Sequence, residues 1–235
     1  MRTDPRVPDA LLSAVKRDLQ RVQPLTSPGR RALALVPLGL LLLVGMPVFW
    51  NWQANTGELA PWLSWGLSTL ETAAGLLTLA IGFREAVPGR ELPTTTVIVQ
   101  IGLVGLCFLG VNAASQMPKP GEIPLETNLQ WIQECIGMAA AFSVPALATV
   151  GWLVSRALPN RPALTGALCG LGVGMMADAG LRLFCRDGAL THIVVAHGGA
   201  ILVVVALGAL GATIVERLKD GADRRSDRQA ARGEH

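Results

Sequence analysis

The sequence predicts an all-α membrane protein, with six transmembrane helices, both termini cytoplasmic and a short amphipathic N-terminal helix. Three observations predict it. First, six apolar runs, 31–50, 62–83, 93–114, 131–154, 162–184 and 192–215, fill most of the 235-residue chain. A helix rises about 1.5 Å per residue, so about 20 residues cross the ~30 Å hydrocarbon core. Second, charged residues make up only 16% of the chain, against about 25% in soluble domains. Third, 17 of the 20 Lys and Arg fall in 1–31, 84–91, 155–161 and 215–235, leaving Lys119, Arg182 and Arg186 on the other side. The positive-inside rule then places both tails in the cytoplasm. Five of the six Trp (Trp50, Trp52, Trp62, Trp65, Trp131) fall at the opposite, outer interface, as aromatic belts do. The net charge of +3 follows from this topology and calls for no nucleic-acid partner.

Residues 1–30 form the first unit. Thr3 or Asp4 caps a helix with Pro5 at its first position, or Asp9 starts it after Pro8. Leu11, Leu12, Val15, Leu19 and Val22 give it one apolar face, and Lys16, Arg17, Asp18 and Arg21 the other. Pro24, Pro28 and Gly29 end it before Arg30 and Arg31 enter the bilayer. So short a helix is marginal alone in water, so its stripe needs a cover. That cover is either the inner leaflet or a groove on a protein partner. The first apolar run is not a cleaved signal peptide, since a tail of about thirty residues precedes it and five more runs follow.

The transmembrane unit, 31–215, carries its chemistry in few residues. Ionisable groups within spans are costly and are functional candidates by default. Span two carries Glu71, span five Asp178 and Arg182, span six His192 and His197. These form a candidate intramembrane polar network in the outer half of the bilayer. Asp178, Arg182 and Cys185 share one helical face by their i, i+4, i+7 spacing. Asp178 with Arg182 is first a salt bridge within one helix, and Glu71 can pair with Arg182 or a histidine. Cys107 and Cys169 lie inside spans and read as small packing residues. Cys135 starts span four and Cys185 ends span five, both at the outer surface. There a disulfide, a reversible thiol pair or a shared metal is geometrically open. Cys135, Cys185, His192 and His197 are the candidate metal ligands. C-x6-H-x4-H is not a standard zinc spacing, and two His five apart do not share an α-helical face cleanly. No resident cofactor is expected, beyond a transient metal ion.

Packing features complete the spans. Gly166, Gly170 and Gly174 make two successive GxxxG steps on span five, with Gly208 and Ala212 similar on span six. Pro145 predicts a kink in span four. The tail 216–235 is rich in Arg and Asp and predicts a disordered segment. No nucleotide-binding, zinc-protease, C-x-x-C or nucleophile-elbow motif occurs, so no enzymatic activity is expected.

The segment Ala14–Leu25 (AVKRDLQRVQPL) with its basic entry to span one resembles the start of the six-span anti-sigma factors of the NrsF (negative regulator of sigma F) type. Trp131 followed by Cys135 with Pro145 further in, and FCRDGALTHIVVAHGGAILVVVALGALGATIVERL through span six, are the other matches. This chain reads W-I-Q-E-C before the cysteine, with Glu134 added. The resemblance implies a bacterial inner-membrane protein that sequesters an extracytoplasmic-function (ECF) sigma factor and releases it on an envelope signal, redox or metal stress. It implies sigma binding through Leu11, Leu12, Val15, Asp18, Leu19, Val22 and Leu25, and a sensor pair at Cys135 and Cys185. The expected partners are an ECF sigma factor and membrane lipid, with no direct contact to nucleic acid. The main alternative is a small six-span transporter or channel subunit with Glu71, Asp178 and His197 lining a path. A carrier needs polar groups through the full thickness, whereas these stop in the outer half. A membrane thiol oxidoreductase is a further alternative, lacking the C-x-x-C it would need.

Overall fold

A computed structural model of the chain describes residues 26–49, 61–116, 129–157, 159–185 and 190–233. Their regular structure is helical, joined by short turns and loops, and six helices are long and apolar enough to cross a membrane: Pro28–Phe49, Trp62–Glu85, Thr94–Ser115, Leu129–Ser155, Pro162–Phe184 and Ile193–Ala222. We call them spans one to six. The residues expected to bind a sigma factor, Leu11 to Leu25, lie outside the described residues, as do Trp50 and Trp52.

Span one is made of two helices, Pro28–Leu33 and Val36–Phe49, parted by a turn at Ala34 and Leu35. Pro37 supplies the reason: it has no N–H to donate, and its ring crowds the carbonyl four residues back. Span four runs as one helix through Pro145, whose carbonyl accepts a hydrogen bond from the Thr149 hydroxyl at 2.9 Å.

Span five is the hub. Of its most apolar stretch 83% is buried, against 22–44% in the other five spans, and it packs on spans six, two, one and four. Small residues on several faces make this possible. A Cβ on Gly166 would lie 2.2 Å from the Gly208 carbonyl oxygen and 2.7 Å from Ala212 Cβ on span six. One on Gly170 would lie 2.6 Å from the Val204 oxygen. Toward span two, Gly172 faces Gly75 backbone to backbone; toward span one, Gly180 faces the Leu42 carbonyl. Only hydrogen fits at such contacts, so glycine lets the backbones touch. Sequence patterning identified the Gly166–Gly170–Gly174 face; that it meets span six, and that other faces meet spans one and two, emerges from the tertiary packing.

The outer surfaces of the spans expose Leu40, Leu41, Ile98, Val99, Leu106, Leu202 and Leu210. Such a belt is a liability in water and is solvated by lipid tails. Inside, Leu79, Phe83, Val173 and Met176 are fully buried in one apolar core.

The stretch after Glu216, expected to be disordered, instead continues the last helix, which runs Gly198–Gly233. Once a span has supplied the costly helical nucleus, each added residue forms a bond at little further cost. The Arg, Ala and Gln of the segment are good helix formers.

Candidate functional site

Consecutive antiparallel spans bring the start of span four, the end of span five and the start of span six to one end of the bundle. Cys135 lies near the start of span four, and its backbone joins Ile132 and Ala139 on a buried face. Cys185 directly follows span five, its N–H donating to the Leu181 carbonyl at 2.9 Å. The two sulfurs are 3.9 Å apart. His192 Nε2 sits 3.5 Å from Cys135 Sγ and 3.3 Å from Cys185 Sγ. All of these residues and His197 are buried. The thiol of Cys185 is held above its ordinary range by its hydrogen bond with Cys135 and by burial.

The two histidines come together for a reason that spacing alone does not give. An α-helix has 3.6 residues per turn, so positions five apart point in well-separated directions. Here Ile193–His197 is a π-helical turn, bonded i to i+5, which brings the fifth residue back over the first. The imidazoles meet edge to face with centroids 5.6 Å apart. The expectation that His192 and His197 would not share a face is therefore corrected. Cys135, Cys185, His192 and His197 each offer a ligand atom, and these atoms lie within 4.8 Å of one another.

Behind this cluster stands the polar network. His197 Nδ1 donates to Asp178 Oδ1 at 2.7 Å. Asp178 Oδ2 accepts from Arg182 Nη2 at 3.2 Å, and Arg182 reaches Glu71 Oε2 on span two at 3.1 Å. Its Nη1 also donates to Asn112 Oδ1 on span three at 2.9 Å and approaches the Ser115 hydroxyl at 3.5 Å. Glu71 and Asp178 are 0% and 1% exposed. A buried charge is tolerated only when paired and hydrogen-bonded, and here one guanidinium serves two carboxylates. Glu71, Asp178, Arg182, His192 and His197 thus converge, and both cysteines join them. Asn112 and Ser115 complete the set and were missed. Their signal was an amide and a hydroxyl near the end of an otherwise apolar run.

The opposite end of the bundle holds separate polar contacts. The Arg31 guanidinium donates to the Leu153 carbonyl and lies 4.7 Å over the Phe83 ring. Glu85 pairs with Arg161 at 2.5 Å and accepts from the Leu92 N–H at 2.8 Å. In the loops, Glu91 accepts from the Gly89 N–H at 3.1 Å and from Asn160 at 2.6 Å. Hydrogen bonds from its own N–H, Gly89 and Asn160 hold its carboxyl below the ordinary range. Glu71 and Glu85 are fourteen positions apart on span two, about 21 Å along a helix. Between them lie buried Leu79 and Phe83 and one neutral pair, Gln100 donating to Thr78 at 3.0 Å. Cys169 is buried in this apolar core, as expected of a packing residue, while Cys107 is half-buried.

Comparison with known proteins gives one informative result. No curated protein and no solved structure matches the chain. The family model described as "Negative regulator of sigma F" matches residues 16–217. That range takes in the end of the N-terminal segment, the first five spans and most of the sixth, both cysteines, both histidines and the carboxylate–arginine network, and on it the chain belongs to the NrsF family of negative regulators of sigma F.

Proposed function

We propose that this chain is an inner-membrane anti-sigma factor. Its cytoplasmic residues 1–30 hold an ECF sigma factor through Leu11, Leu12, Val15, Asp18, Leu19, Val22 and Leu25. An envelope signal, oxidation or metal stress, acts on Cys135 and Cys185 and releases it. The observation that carries this reading is the convergence of the two cysteines, 3.9 Å apart, at the end of the bundle away from Arg31, where the N-terminal segment enters. Receiver and effector then lie on opposite faces of the membrane, as the charge distribution requires. Cys185 caps the hub helix and Cys135 sits on span four, which packs against it. A change there can bias how the spans pack, which is the two-state element that transmission needs. The transporter alternative is less well supported, because the core between Glu71 and Glu85 is closed by large apolar side chains.

The test is co-purification of the full chain from detergent-solubilised membranes with a co-expressed ECF sigma factor. The wild-type chain retains it, and a Leu11→Asp/Leu19→Asp variant loses it. Absence from the wild type, or full retention by the variant, overturns the binding assignment. A Cys135→Ser/Cys185→Ser variant that still responds normally to oxidant and metal overturns the sensor assignment.

A further inference from the structure

We propose that Cys135, Cys185, His192 and His197 form a tetrahedral Cys2His2 site for a divalent, borderline-soft metal ion of the zinc type, with Asp178 orienting His197 from behind. This deepens the reading of the cysteines as the signal receiver. Only its regulatory consequence rests on that reading; the geometry does not.

Distances come first. Metal–sulfur and metal–nitrogen bonds of about 2.3 and 2.0–2.1 Å set tetrahedral edges of about 3.8 Å between sulfurs and about 3.5 Å between sulfur and nitrogen. The sulfurs lie 3.9 Å apart, and His192 Nε2 lies 3.5 and 3.3 Å from them. Three corners of a tetrahedron are thus already spaced for an ion. With all four ligand atoms within 4.8 Å, the fourth corner closes by a movement of at most about 1.5 Å.

The orientation of His197 is the second argument. Its Nδ1 donates to the Asp178 carboxylate, which can only accept. In the neutral imidazole, the form that binds metal, that bond puts the lone pair on Nε2, which is buried with no hydrogen-bond partner. An orphaned buried polar atom is costly. A carboxylate fixing the tautomer of a histidine whose other nitrogen takes a metal is the usual outer shell of such sites. Asp178 is itself held by Arg182. A pair of thiols serving oxidation alone would need neither histidine in this pose.

Charge is the third. Two thiolates and two neutral imidazoles around a divalent ion sum to zero, the condition under which a buried ion site costs least. A tetrahedral S2N2 set selects zinc-like ions over hard, oxygen-seeking ones. The ion would tie spans four, five and six at one end, and loss or exchange of that tie is a signal the bundle can report.

The test uses the full chain in detergent, reduced, stripped with chelator and titrated with Co2+, then Zn2+. One Co2+ per chain is expected, with intense visible bands of tetrahedral cobalt, near-ultraviolet thiolate charge transfer, and displacement by Zn2+. Cys185→Ser and His192→Gln are each expected to lose tenfold or more in affinity, and Asp178→Asn about 10–100-fold. Cys169→Ser, in the apolar core, keeps full binding. X-ray absorption of the wild-type Zn2+ form gives a readout free of variant folding: two sulfur and two nitrogen neighbours. Absence of stoichiometric binding, a weak octahedral spectrum, oxygen in place of sulfur, or less than tenfold loss in either ligand variant overturns the site. A chain that binds the ion but retains no sigma factor refutes the regulatory reading and leaves the site standing. A chain that retains a sigma factor and binds no ion does the reverse.

Discussion

Replacing Arg182 with methionine tests how the bundle is held together. Arg182 Nη2 lies 3.1 Å from Glu71 and 3.2 Å from Asp178, and Nη1 bonds Asn112 at 2.9 Å, so one side chain joins spans two, three and five. At an effective dielectric of about 20, a unit charge pair at 3.2 Å attracts by about 5 kcal/mol. The desolvation of the guanidinium, which the variant no longer suffers, offsets part of the two attractions. What remains is the position of the two carboxylates, buried in an apolar surround with no cation between them. Removing one partner of a buried ion pair costs about 3–5 kcal/mol, and that is the expected loss for Arg182→Met. The assay is reversible unfolding of the purified chain in mixed micelles, followed by helical circular dichroism. A triple variant, Arg182→Met/Glu71→Leu/Asp178→Asn, removes the stranded charges together and is expected to recover most of the loss. A single variant within 1 kcal/mol of wild type, or a triple variant no better than the single one, would refute the account.

The remaining predictions concern separate parts of the molecule. Gly180→Val puts a branched side chain where even a Cβ would lie 2.2 Å from the Leu42 carbonyl; it should lower the thermal midpoint by several degrees. Gly102→Ala, with nothing within 4 Å, should leave the midpoint unchanged or raise it through helix propensity. A mild thiol oxidant should convert Cys135 and Cys185 together, so that alkylation followed by mass spectrometry finds both blocked or both free; chains with one alone labelled would count against the 3.9 Å pairing. Glu91 stabilises the loops as a carboxylate whose folded titration point is depressed. Its contribution is present above the ordinary carboxyl range and vanishes as pH falls through the folded value. Glu91→Gln should therefore lower the midpoint at pH 7, with an effect that shrinks as pH falls through the acid range; an effect that does not change with pH would refute this.

The six spans were legible because lipid imposes a length and a composition on any helix that crosses it, and the sequence carries both without reference to partners. The Gly166–Gly170–Gly174 row was legible for a similar reason: close helix approach demands small residues at a fixed interval. The pairing of Asp178 with Arg182 followed from their spacing on one helix. Other features were beyond the sequence, each for a physical reason. That span five is the hub depends on Gly172 and Gly180 meeting Gly75 and Leu42, a contact between segments more than ninety residues apart. The stretch beyond Glu216 was expected to lack order from its charge, yet it extends a helix already nucleated within the bilayer. Asn112 joined the polar network only because folding placed span three beside Arg182.

The cysteines and histidines mark the boundary between the two kinds of knowledge. The sequence by itself determined that Cys135, Cys185, His192 and His197 lie at one end of the bundle, because the spans alternate in direction. It offered the four as candidate ligands but argued against both histidines sharing one face, because a five-residue interval does not stack on an α-helix. Only the tertiary structure decided otherwise. The π-helical turn Ile193–His197 realigns the imidazoles, Asp178 fixes one of them, and the packing of spans four and six on span five draws the sulfurs together. A change of one residue in a local hydrogen-bond register is invisible to hydrophobic periodicity, and here it separates four scattered side chains from a site.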